Sequence, residues 1–144
     1  MKKALFVCIH NSARSQMAEA YCNHLSGGRV VAQSAGIEPG KLNPLVVKVM
    51  AEVGVDISGN QTKSVEGFIR SGEKFDFIIT VCDETSAERC PVFAGSGQRL
   101  HFGFEDPSAL SGSEQDKLKA IRLIRDQIKK KIEEWLEKVS EESA

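Results

Sequence analysis

The sequence predicts an α/β domain of three layers, a parallel sheet of four strands covered by helices. Three observations carry that prediction. Apolar runs of strand length alternate with helical periodicity along the 144 residues, the pattern of βαβ units. The first run, Ala4 to Cys8, is apolar throughout, as a strand buried on both faces requires. The final segment places Leu118, Ile121, Ile124, Ile128, Ile132, Trp135 and Val139 on one helical stripe, which must lie against a sheet or another helix. Right-handed crossovers then put helices on both faces.

Each element follows from local chemistry. After the strand Ala4–Cys8, the polar run Ile9 to Ser12 breaks the pattern, and Ala13, Met17, Ala20, Tyr21 and Leu25 recur at helical spacing until Gly27-Gly28, a helix stop. Val30-Val31-Ala32 is the second strand, ended by Ser34-Ala35-Gly36. Pro44 suits the first turn of a helix, and Leu45, Val46, Val49, Met50 and Val53 give that helix its apolar stripe before Gly54. Ser64 to Ile69 reads as a short helix, and Phe75 to Val81 as the third strand. Asp83 to Gly97 reads as a loop with a short helical piece, and Leu100-His101-Phe102 as the fourth strand. Without repeats or a linker, the chain is expected to form one domain, 1–144.

Composition narrows the function. Nineteen basic residues against 20 acidic ones give no basic face for nucleic acid or an anionic membrane. No run approaches the roughly 20 apolar residues of a membrane span. Lys2-Lys3 resembles the basic end of a secretory signal, but the apolar run Ala4 to Ile9 is too short and meets His10 and Asn11, so a cytoplasmic protein is expected, and a monomer because no long exposed apolar stripe demands a partner. Four cysteines, at 8, 22, 82 and 90, are then catalytic, redox-active or inert thiols rather than a disulfide framework. Only Cys82 and Cys90 are close in sequence, which does not match paired zinc-ligand spacing. His24 and His101 are isolated, so neither metal nor cofactor is expected. Lys129-Lys130-Lys131, followed by acidic residues, reads as a solvated helix face.

In open parallel sheets the ligand lies beyond the carboxyl ends of the strands, which directs attention to Cys8-Ile9-His10-Asn11-Ser12-Ala13-Arg14-Ser15. Cysteine and arginine here bracket five residues between a strand and a helix. Such a loop curls around a tetrahedral oxyanion, with the N–H groups of Ile9, His10, Asn11, Ser12, Ala13 and Arg14 directed inward at the positive end of the helix. The planar fork of Arg14 matches two oxygens. The same field favours Cys8 as a thiolate nucleophile. Asn11 tolerates the left-handed backbone of a tight loop, Ser15 can donate to the Cys8 sulfur, and Ser12 has the alternative role of helix N-cap.

CIHNSARSQMAEA, with SAGIEPG at 34–40, FDFIITVCD at 75–83 and FEDPSAL at 104–110, resembles the arsenate reductases built on the low-molecular-weight protein tyrosine phosphatase fold. The resemblance runs nearly to the last helix and implies the strand order 2-1-3-4. It implies that Asp106, before Pro107, is the general acid for the departing oxygen. It implies that Cys82 and Cys90 relay a disulfide outward from Cys8 to thioredoxin, since reducing arsenate takes two electrons and a second thiol must supply them. Phosphate and sulfate would bind as analogues of arsenate. Cys22, near Ala18 and Leu25, reads as packing.

Several positions depart from the family pattern. Cys82 and Cys90 are one residue further apart than in the best-known thioredoxin-linked members, His10 stands where glycine is frequent, and Ala13 where cysteine is frequent. Some reductases of this family bind potassium beside the loop asparagine through an aspartate after a Gln-Thr-Ser run. Gln61-Thr62 is followed here by Lys63-Ser64, so no ion is expected. The rival reading is a phosphatase hydrolysing a phosphocysteine at Cys8. Against it, Ser108 follows Asp106-Pro107 where such phosphatases place an aromatic wall, although weak phosphatase activity is expected from the shared loop. A non-enzymatic oxyanion-binding or redox-sensing domain is a third reading, which Asp106 and the paired thiols disfavour.

Overall fold

The apolar run at the start of the chain forms β1 (Lys2–Cys8), whose last five residues are buried. The computed structural model describes residues 2–82 and 97–143. In order, α1 (Arg14–Leu25), β2 (Val30–Gly36), α2 (Pro44–Glu52), α3 (Val65–Ser71), β3 (Phe77–Thr80), β4 (Gln98–His101), a 3-10 turn at Pro107–Ala109 and α4 (Glu114–Ser143) follow β1. All strand pairs are parallel and the order is β2-β1-β3-β4, as the resemblance implied.

The two faces of the sheet bury different partners. Ala4, Phe6, Cys8, Phe77 and Ile79 face α1, α2 and α4, where Met17, Met50, Ile121, Ile128 and Ile132 are fully buried. Trp135 meets Phe6, Phe77 and Phe102 edge-on, with ring centroids 5.1–6.2 Å apart, the preferred aromatic geometry. Leu5, Val7 and Ile78 point the other way, onto Val65 and Phe75, with Phe68 packed alongside. Burial of each such large side chain contributes roughly 1.5–3 kcal/mol. The predicted stripe on α4 is buried at all seven positions.

The structure moves several predicted boundaries. β2 continues through Ser34-Ala35-Gly36 rather than stopping there, because Ser34 is buried and its hydroxyl is satisfied by Glu19. β3 is shorter than Phe75 to Val81: Phe75 fills the α3 face from the preceding loop. β4 starts earlier, at Gln98, and ends at His101, its polar residues solvated on the sheet edge. Ser113 and Asp116 form a reciprocal cap on α4, with Asp116 N–H donating to Ser113 Oγ (3.2 Å) and Ser113 N–H to Asp116 Oδ2 (3.3 Å), a motif written in the sequence. Lys129, Lys130 and Lys131 are exposed, as predicted, although Lys131 also lies 5.0 Å over the Phe102 ring. Among the described residues no helix is long and apolar enough to cross a membrane.

Candidate active site

The register Cys8↔Gly36 between β1 and β2 brings the loop 9–13 against the segment that leaves β2. Ile37 N–H donates to Cys8 O (3.1 Å), Glu38 N–H to Ile9 O (2.7 Å), Gly40 N–H to His10 O (2.9 Å) and Asn43 N–H to Ser12 O (2.9 Å). In a planar trans peptide the N–H points opposite to the C=O. The carbonyls tied to 37–43 therefore turn the following N–H groups away from that segment, and Asn11 N–H donates to Cys8 Sγ at 3.1 Å.

Gly36 makes the close approach possible. A Cβ there would lie 2.8 Å from Asn11 N, His10 C and Ile9 O, all backbone atoms that cannot swing aside. Sequence reasoning treated Gly36 only as a strand terminator, and its one signal was a glycine at a strand end.

Asn11 is the only non-glycine residue with positive φ among the described ones, at 54°, and it is fully buried. Its Nδ2 donates to Ser15 Oγ (2.7 Å), and its Oδ1 accepts from Lys63 N–H (2.9 Å) and Gln16 Nε2 (3.1 Å). With its oxygen already accepting from Asn11, the Ser15 hydroxyl has its proton available for Cys8 Sγ, 2.8 Å away. The Cys8 sulfur thus has two donors within hydrogen-bond distance, Ser15 and the Asn11 amide.

Arg14 opens α1 and is almost fully buried. Its Nη1 donates to Phe104 O (3.1 Å), and its Nη2 lies 3.8 Å from Asp106 Oδ2, so the predicted acid and the predicted anion ligand share one site. Ala109 N–H donates to Asp106 O (3.1 Å), seating the carboxylate at the start of the 3-10 turn. The N-cap of α1 is Ala13, with no side-chain cap and no acidic residue in the first turn. Ser12 is therefore not the helix cap, and its carbonyl serves Asn43 instead. Ile9 is half-buried and His10 exposed, with His10 Nδ1 2.8 Å from Glu38 O.

Cys82 lies two residues past the end of β3 and is fully buried. Val81 N–H donates to Val7 O (2.9 Å), which extends the β1–β3 pairing to the level of Cys8. Cys8 and Cys82 belong to the same core cluster. Cys90 lies outside the described residues. Cys22 packs in the core, as read from sequence, and burial pushes its thiol up to about 12. Cys8, Cys22 and Cys82 are all thiols.

Among the described residues no group of three or more His, Cys, Asp or Glu could hold a metal ion. His24 is exposed, and His101 Nδ1 lies 2.7 Å from Thr80 Oγ1. The potassium site of some relatives does not fit this chain. Ser64 stands in place of the carboxylate, and the neighbouring Lys63 ammonium lies 3.5 Å from Glu19 Oε1. Sequence reasoning missed Gln16, Asn60 and Lys63 as partners of Asn11's surroundings, since no local pattern announces them.

The profile of the family described as low molecular weight phosphotyrosine protein phosphatase matches residues 3–144. The chain belongs to this family. Within it, the chain is 37% identical over 132 residues to an arsenate reductase of Bacillus subtilis, covering 92% of this chain and 93% of that one. A solved arsenate reductase in the phosphate binding state superposes with a TM-score of 0.76 at 32% identity, covering 96% of this chain and 98% of that one. The thioredoxin-dependent arsenate reductase of Corynebacterium glutamicum superposes with a TM-score of 0.62 at 30% identity, covering 92% of this chain and 62% of that longer one. This family member therefore resembles reductases along nearly its whole length.

Proposed function

We propose that this protein reduces arsenate to arsenite through a cysteine relay. The observation that carries the reading is a second buried thiol, Cys82, in the same core cluster as the cradled nucleophile Cys8. Hydrolysis of a phosphocysteine needs only one thiol, whereas reduction needs a second.

In the first step the Cys8 thiolate attacks arsenic, and Asp106 protonates the oxygen that leaves as water. Arg14 and the inward amides of Ile9, His10, Asn11, Ser12 and Ala13 hold the remaining oxygens as charge redistributes. Ser15 and the Asn11 amide hold the Cys8 sulfur in place for the attack. In the second step the Cys82 thiolate attacks the Cys8 sulfur. The sulfur–arsenic bonding pair passes to arsenic, which leaves as arsenite, and a Cys8–Cys82 disulfide forms. Attack by Cys90 on Cys82 then regenerates Cys8 and moves the disulfide outward, where thioredoxin reduces it. The reading places the protein in the cytoplasm, where reduced thioredoxin is maintained, acting as a monomer on arsenate, with phosphate or sulfate as competing analogues. The structures named thioredoxin-dependent and phosphate-binding support these partners by similarity.

The deciding experiment follows arsenite formation with thioredoxin, thioredoxin reductase and NADPH, and separately with glutaredoxin and glutathione. Wild type turns over in the thioredoxin arm, and Cys82→Ser and Cys90→Ser do not. Arsenate turnover by Cys82→Ser equal to wild type overturns the relay. Turnover confined to the glutaredoxin arm changes the reductant and leaves the relay. If only p-nitrophenyl phosphate is hydrolysed, in all but Cys8→Ser, the protein is a phosphatase.

A further inference from the structure

We propose that Gln16 is a positioning residue for the nucleophile, clamping Asn11 so that Asn11 and Ser15 hold Cys8 for attack, with Asn60 bracing Gln16 from behind.

The hydrogen bonds form one continuous path. Asn60 Nδ2 donates to Gln16 Oε1 (3.1 Å). Gln16 Nε2 faces three acceptors at 3.1 Å, namely Asn11 O, Asn11 Oδ1 and Gln61 O. Asn11 Nδ2 donates to Ser15 Oγ, and Ser15 reaches Cys8 Sγ. Gln16 is fully buried, so each unmade bond would carry its full desolvation cost.

Two features give Gln16 this role rather than that of a satisfied core amide. Asn11 is held in a left-handed conformation that costs an L-residue free energy unless its surroundings impose it. Gln16 bonds both its main-chain carbonyl and its side-chain oxygen, so a single carboxamide fixes the turn and the amide's rotation together. Rotation matters because an Asn side chain with donor and acceptor exchanged would present an oxygen to Ser15. The Ser15 proton would then be drawn to that oxygen and away from sulfur. Gln16 and the Lys63 N–H both donate to Oδ1, and only one orientation satisfies them. Asn60 and Gln61 belong to the segment between α2 and α3, so a stretch far in sequence governs the nucleophile's orientation. The inference concerns any reaction that begins at Cys8, and so it stands apart from the arsenate reading.

The test measures the alkylation rate of Cys8 by iodoacetamide at one fixed pH, without arsenate or thioredoxin, by mass spectrometry of the Cys8 peptide. Gln16→Met removes every bond, and Gln16→Glu keeps the shape and acceptor but removes the donor. Both slow alkylation on the order of tenfold, the scale of losing buried hydrogen bonds that hold a reactive group. Asn60→Ala slows it less, because it loosens only the brace. The decisive comparison adds Ser15→Ala. If Gln16 acts through Asn11 and Ser15, then Gln16→Met has little further effect in that background, whereas a purely structural role makes the two losses multiply. Multiplying losses, or a Gln16→Glu variant as reactive as wild type, overturns the proposal. Should both Gln16 variants fail to fold, Asn60→Ala decides: wild-type reactivity in a folded Asn60→Ala protein refutes the relay, and slower alkylation that vanishes beside Ser15→Ala supports it.

Discussion

Cys82 and Cys8 share one core cluster, although regular alternation along β3 would send them to opposite faces of the sheet. Phe77, Ile79 and Val81 face this cluster and Ile78 faces the other, so a continued strand would turn Cys82 away. The strand ends at Thr80, and the chain bends at Cys82, which frees it from the period of two. The early end of β3 is thus what brings the second thiol to the nucleophile's side. A Cys90→Ser variant given arsenate without reductant is expected to release one equivalent of arsenite and accumulate a Cys8–Cys82 disulfide. Non-reducing peptide mapping checks this. Recovery of both cysteines as thiols after arsenite release would contradict it.

Arg14 is held at both ends, by Phe104 O and by Asp106, so its fork is pre-oriented toward the loop. Lysine keeps the charge but not the fork or the geometry. Arg14→Lys is expected to lower kcat/KM for arsenate by about 10²–10³, the scale seen when a donor to a developing oxyanion is lost. Thioredoxin-coupled kinetics with a matched circular dichroism spectrum measure it. A drop of only a few-fold would show that the loop amides suffice alone.

The Gly36 approach gives a stability prediction. Gly36→Ala puts a methyl group 2.8 Å from three loop backbone atoms, and the loop must move. The cost is about 1–3 kcal/mol, as for other overpacked sites. Displacing the inward amides also lowers activity. Urea midpoints and arsenate turnover test the two effects together, and an unchanged midpoint would mean that the loop yields without strain.

The loop was legible because its chemistry is local. Five residues separate Cys8 from Arg14 along the chain, and strand, loop and helix types follow from periodicity. Asn60 and Lys63 were not legible because the chain returns to Asn11 only after α2, and Gly36 because it arrives through the α1 crossover; Gln16 is only five residues from Asn11, but no short pattern marks a helical glutamine as its partner. Ser12 carried two readings, loop amide and helix N-cap, and the structure removes the second, since the helix starts at Arg14 with Ala13 as its N-cap. Phe75 misled because its alternation with Asp76 and Phe77 reads as strand, and an apolar residue there marks burial without marking where the strand begins. β4 was read late because Gln98 and Arg99, on the sheet edge, carry no apolar signal. The strand order came from the family resemblance, not from the strands themselves.

Acid stability should report on the contact between α2 and α4. Glu52, ending α2, accepts from Arg122 Nε (2.9 Å) and Nη2 (2.8 Å), and from Arg125 Nη1 (3.1 Å). Arg125 Nη1 also donates to Val49 O (2.9 Å), tying the same helices from inside. The hydrogen bond from Arg122 is the main cause holding the Glu52 carboxyl below the usual glutamate range, and Arg125 adds to it. A carboxyl depressed in the folded state stabilises the protein above its unfolded value and loses that contribution as pH falls through the folded one. The Tm of wild type should therefore exceed that of Glu52→Gln at neutral pH, with the gap closing as pH drops below the usual carboxylate range. Because this pair is solvated, the gap should also shrink in high salt. Calorimetry across pH distinguishes the cases: a gap independent of pH would assign the effect of Glu52 to packing rather than to its charge.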